Sequence, residues 1–168
     1  MKCFDIEDVM FAVIGYGNAL RRDDGAGLVL AQQMSDFLKQ NDCDVLYLTT
    51  HQLTPELIYD LNAPKLEGVL FVDTRVGVVE TAVAIEPVMR EIHHPSVGHQ
   101  MTPEIFLILL DGILGVKVKA WMVSVPGWDF EFGEVFSKKT QQALDDFLQH
   151  LGKHLSFCLM KKSVDHVA

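Results

Sequence analysis

The chain has 168 residues, 49% apolar and 22% charged, the balance of a folded globular domain rather than a disordered one. Lys and Arg total 14 against 23 Asp and Glu, and this net charge of -9 argues against a nucleic-acid or anionic-membrane partner. Cys3, Cys43 and Cys158 are odd in number and far apart, so no disulfide framework, zinc ribbon or iron–sulfur site is expected. A reduced, cytoplasmic protein is expected. Asp5, Glu7 and Asp8 give the first residues the wrong sign for a secretory or transit signal. The longest apolar run, residues 105–110, stops at Asp111, far short of the roughly 20 residues a membrane span needs. A single domain over 1–160 is expected, with 161–168 as a frayed tail.

In chain order, residues 11–15 form a short apolar run ending in Gly15, which reads as a buried strand. A loop over 16–23 leads into a helix over about 24–40, with Leu28, Leu30, Ala31, Met34, Phe37 and Leu38 on its apolar face. Residues 45–49 give a second strand. Thr54-Pro55-Glu56 then pairs an N-cap with a proline at the first helical position, so a helix over about 54–61 follows. Residues 68–73 are apolar in succession up to Asp73, the mark of a third strand covered on both faces. Residues 81–86 suggest a fourth, edge strand. Thr102-Pro103-Glu104 repeats the capping pattern and opens a helix that Gly115 ends; its continuous apolar run predicts deep burial. Another strand over 117–125 and a final amphipathic helix from Ser137 to about 155 complete the pattern. Alternating strands and helices predict a three-layer α/β sandwich, with a mostly parallel, twisted sheet of about five strands and helices on both faces.

Ligand sites in such sheets lie beyond the carboxyl ends of the strands. The loops there bring Asn18, Arg21, Arg22, Asp23 and Asp24, then His51 and Gln52, then Asp73 and Arg75. His93, His94, His99 and Gln100 precede the apolar helix. Gly15-Tyr16-Gly17 invites a dinucleotide reading, but Leu20 replaces the third glycine and two aspartates stand where pyrophosphate needs bare amides. A tight turn explains the glycines better. Asp23 and Asp24 have a bland reading as caps of a helix start. Asp73 is harder to explain this way, because a carboxylate closing an apolar strand is costly unless paired, hydrogen-bonded or metal-bound. Histidine with two carboxylates is a donor set suited to a divalent first-row ion, although His99 also reads as a capping residue and His93-His94 as a solvated pair. No G-x-S-x-G elbow is present, and no cysteine lies at a strand-to-loop rim beside a histidine.

The run from Gly15 through Gly17, Asn18, Leu20, Asp23, Asp24 and Gly25 to Gly27 resembles the opening signature of the nickel–iron hydrogenase maturation endopeptidases. Phe71-Val72-Asp73 resembles their second acidic element, and Gly98-His99-Gln100 their histidine element before a helix. The resemblance spans nearly the whole chain. It implies an enzyme that removes the C-terminal extension of a hydrogenase large-subunit precursor after nickel insertion. It further implies that Asp24, Asp73 and His99 contact a nickel carried by the substrate and serve as the catalytic and metal residues. Two departures stand out: Asp24 is a methylene shorter than the Glu that can stand there in the family, and His51-Gln52 stands where many members have a Gly-Thr pair. That loop, with residues 118–121 and 130–134, is similar to the branch serving bidirectional, NAD-linked hydrogenases.

Two other classes fit the same residues. One is a metallopeptidase or amidase owning its metal; the other is a non-catalytic, nickel-dependent maturation chaperone. The attacking group is expected to be water, with His51, His93 or His94 as candidate acid or base.

Overall fold

The computed structural model describes residues 10–77, 79–91, 100–115 and 117–159. Five strands, β1 (Phe11–Tyr16), β2 (Val45–Thr50), β3 (Gly68–Val76), β4 (Ala84–Pro87) and β5 (Lys119–Gly127), form one sheet in the order β2-β1-β3-β5-β4. β1 pairs in parallel with β2 and β3, and β3 with β5; β4 runs antiparallel along β5 at the edge. The sheet is therefore mostly parallel, as the alternating pattern requires.

Side chains alternate between two cores, because successive residues of a strand face opposite sides. Phe11 and Val13 of β1, with Leu70 and Val72 of β3, pack under α1 (Ala26–Gln40), α4 (Lys138–Leu148) and α5 (Leu151–His154). Ala12, Ile14, Val69 and Phe71 face the other way, toward α2 (Leu57–Asp60) and α3 (Pro103–Leu114). Phe71 meets Phe106 of α3 edge to face, with centroids 5.5 Å apart. Buried Cys43 and Cys158 belong to the first core as small apolar side chains; Cys3 lies outside the described residues.

Several boundaries differ from the sequence expectation, each for a physical reason. A 3-10 turn, Arg22–Gly25, precedes α1, so the helix starts at Ala26 rather than near 24. Neither aspartate caps α1: its N-cap is Gly25, without a side-chain cap, and both carboxylates are bound elsewhere. The helix expected over 54–61 shrinks to one α-helical turn, because residues 57–59 donate to carbonyls only three positions back. β4 begins three residues later than expected. The apolar helix α3 starts and stops where its caps predict: Thr102 Oγ1 accepts from Ile105 N, and Gly115 ends it with φ +68°. It is not buried all round. Phe106, Leu107 and Leu110 face the sheet, while Ile108 and Ile113 are 38% and 46% exposed, since only one layer of helix covers this face. The final helix is broken into α4, α5 and α6 (Ser156–Leu159) rather than continuous. The break brings Gly152 against the Phe37 ring, where a Cβ would sit 3.3 Å away. The expected tail, 161–168, lies outside the described residues. Among the described residues, no helix is long and apolar enough to cross a membrane.

Candidate functional site

At the carboxyl ends of β1, β2 and β3 lies a cleft of about 750 Å³, the position that strand topology assigns to ligands. Tyr16 and Gly17 line it from the end of β1, Asp24 from the 3-10 turn, and Asp73 from β3. His51 to Pro55 close one side, and Gln100 to Pro103 bring the N-terminus of α3 to the other. That end of α3 carries partial positive charge, which favours anionic groups nearby. No Lys or Arg is among these lining residues.

The glycines of the opening motif let these parts meet. Gly17 has φ +140°, and a Cβ there would lie 2.2 Å from the Asp24 carbonyl oxygen. At Gly27 a Cβ would lie 2.7 Å from Cα of Asp73, so the start of α1 rests directly on the strand end that bears the carboxylate. The two glycines thus serve close packing of Asp24 and Asp73, not a pyrophosphate.

The carboxylates sit in different environments. Asp24 is half-buried, and its Oδ2 accepts from Asn18 N at 3.0 Å. Asp73 is half-buried, with Oδ1 accepting from Thr74 N at 2.7 Å. Burial pushes the Asp73 carboxyl up to about 7; the Thr74 amide opposes the shift and the nearby Asp24 charge adds to it. Tyr16 bonds the sulfur of Met122 at 3.7 Å; burial, then Asp73 and Glu104, hold its phenol well above the usual range, so it is a neutral donor beside the carboxylates. Two neighbouring carboxyls, with no Lys or Arg among the described lining residues, form a site where a bound cation would favour the ionised form of both.

Of the other predicted rim residues, His51, Gln52 and Gln100 line the cleft, whereas Asp23, Arg21, Arg22 and Arg75 bond elsewhere. Asp23 is fully buried; Oδ2 accepts from Trp128 N, Asp129 N and Ser137 Oγ, and Oδ1 from Ser137 N, at 2.7–2.9 Å. Burial would raise its carboxyl, but these bonds hold it below the usual range. Arg22 pairs with Asp129, and Arg21 Nε donates to the Phe130 carbonyl at 3.1 Å. Arg75 bonds Ser124 Oγ at 2.8 Å and the Ala82 carbonyl at 2.7 Å, bracing the approach to β4. His51 is exposed at the cleft edge. His93, His94 and His99 lie outside the described residues. Among the described residues no group of three acidic, His or Cys side chains is arranged to hold a metal. Sequence reading missed Tyr16 and Thr102 as lining residues: Tyr16 sits between the motif glycines, and Thr102 was read only as the cap of α3.

No protein-family model and no curated protein matches the sequence. Solved structures do match the fold. A [NiFe] hydrogenase maturation protease HycI from Thermococcus kodakarensis KOD1 superposes with a TM-score of 0.63 at 17% identity, over 88% of this chain and 93% of that one. The hydrogenase maturating endopeptidase HybD from E. coli gives 0.63 at 18% identity, over 89% and 94%. A hydrogenase 3 maturation protease gives 0.62 at 16%, over 86% and 90%. The chain shares their fold. At these identities the likeness concerns architecture, so the chemistry rests on the residues of the cleft.

Proposed function

We propose that this chain is a nickel–iron hydrogenase maturation endopeptidase, which removes the C-terminal extension of the large-subunit precursor after nickel insertion. One observation carries the reading: Asp24 and Asp73 converge in a cleft with no Lys or Arg among its described lining residues, within the fold of solved maturation proteases. The nickel belongs to the substrate. Asp24 and Asp73, with His99, would occupy positions that the substrate's own ligands leave open, so a nickel-free precursor has nothing for them to grip. Bound there, nickel would polarise the scissile carbonyl as a Lewis acid. The carboxylates would orient the metal-bearing peptide and accept the proton of the attacking water. Tyr16, neutral at working pH, adds no third negative charge to the same wall.

The test is to mix the protein with nickel-loaded precursor and weigh the products. Loss of the extension is expected. Replacing Asp24, Asp73 or His99 singly by Ala should abolish cutting while leaving the protein folded. An unchanged precursor mass with retained binding would instead support the non-catalytic chaperone.

A further inference from the structure

Helix α1 begins without a side-chain cap of its own, yet its first-turn amide is not left open. Gly27 N donates to Thr74 Oγ1 at 3.2 Å, and the same hydroxyl donates to the Asp23 carbonyl at 2.9 Å. A side chain from β3 therefore closes the start of a helix from another part of the chain. Thr74 follows Asp73, and Asp23 precedes Asp24. The hydroxyl thus joins the two segments that carry the cleft carboxylates, one residue from each.

Its surroundings fix this bridge from every side. A Cβ at Gly127 would fall 2.7 Å from Thr74 Cγ2, so the methyl is held against β5 while the hydroxyl faces the turn. The Asp23 side chain ties that turn to residues 128, 129 and 137, and the Asn18 amide binds Asp24 itself. These bonds anchor the turn to other loops. The Thr74 hydroxyl is the side chain that ties it to the strand end bearing Asp73.

We propose that Thr74 is a positioning residue whose hydroxyl sets the placement of Asp24 relative to Asp73, and with it the fit of both carboxylates to one substrate-borne cation. The proposal rests on the endopeptidase reading. Displacement of one reacting group by about 1 Å commonly costs up to about a hundredfold in rate, so loss of this bridge should lower kcat more than it alters KM.

Three variants test it. Thr74→Val keeps the branched shape and loses the hydroxyl; Thr74→Ser keeps the hydroxyl and loses the methyl; Thr74→Cys has nearly the size of Ser with a weak donor. Thr74→Val should lower kcat on nickel-loaded precursor at least about tenfold with KM within about threefold, and Thr74→Ser should stay within about threefold of wild type. Amide exchange at Gly27 should accelerate in Thr74→Val and remain slow in Thr74→Ser, a readout independent of cleavage. Should Val unfold the chain, the Ser and Cys variants carry the same comparison, Cys being expected to behave as Val. Wild-type kcat in Thr74→Val, or equal losses in Ser and Cys, overturns the positioning role while wild-type cutting upholds the endopeptidase reading. If wild-type protein leaves the nickel-loaded precursor uncut, both fall together.

Discussion

Asp73 and Asp23 show how one residue type takes opposite roles within one rim. The folded pKa of Asp73, about 7, lies above its ordinary 3.8, so the folded chain holds this proton more tightly than the unfolded chain does. The stability contributed by that proton is fully present below about pH 4 and is lost as pH rises to about 7. Asp73→Asn, permanently neutral, should therefore exceed wild type by on the order of 2 kcal/mol at pH 8 and match it near pH 4. Urea unfolding at both pH values checks this; a gain of equal size at pH 4 would remove the ionisation as its cause. The same variant should not cut precursor, since its amide no longer supplies the anion. Asp23 behaves in the reverse sense. Its lowered pKa means that its contribution is present above the unfolded value and fades as pH falls. Asp23→Ala strands the amides of Trp128, Asp129 and Ser137 in a buried site and should cost about 3 kcal/mol or more. Asp24→Ala, at the half-exposed neighbour, should cost under about 1 kcal/mol by the same measurement. Equal losses at the two positions would mean that Asp24 also anchors the fold.

The same contrast holds for α3 at the scale of elements. Phe106 is fully buried against Phe71, so Phe106→Ala should destabilise by about 3–5 kcal/mol. Ile113, 46% exposed on the outer face, should tolerate Lys within about 0.5 kcal/mol. Urea midpoints distinguish the two, and a large loss at Ile113 would point to a covered surface there. The sequence made the existence of α3 legible through Thr102, Pro103 and Gly115, because caps are local chemistry. It did not reveal which apolar side chains face out, since in a helix so uniformly apolar the burial stripe depends on the partner layer. Continuous apolar runs likewise identified β1 and β3 as central strands. The short α2 and the broken C-terminal helices escaped, because i→i+3 bonding and the approach of Gly152 to Phe37 are decided by tertiary contact. At the site, Asp73 was legible as a strand-end carboxylate and Asp24 as one of two aspartates before α1; that both line one cleft came only with the fold. The role of Asp23 was not legible, because its four partners lie more than a hundred residues away in sequence.

Taken as a whole, the molecule is an anionic body, with net charge -9, whose cleft presents two carboxyls and, among the described residues, no Lys or Arg. On the proposed reading, Asp24, Asp73 and His99 would hold a divalent ion only weakly by themselves. Carboxylates and one imidazole, with no thiolate, bind a borderline ion such as nickel more weakly than a set that includes cysteine. A precursor whose thiolates already ligate nickel would complete the shell, so the joint complex should retain the metal far better than the free protein does. Protein purified alone is therefore expected to be largely metal-free by elemental analysis. In paired digests it should leave nickel-free precursor intact and shorten the nickel-loaded form. Chelation of the free protein beforehand should make no difference, whereas stripping nickel from the precursor should stop cleavage. Stoichiometric zinc that resists chelator, together with cleavage of nickel-free precursor, would instead make the chain a metallopeptidase that owns its metal. The two carboxylates would then hold a resident ion rather than read the cargo of another protein.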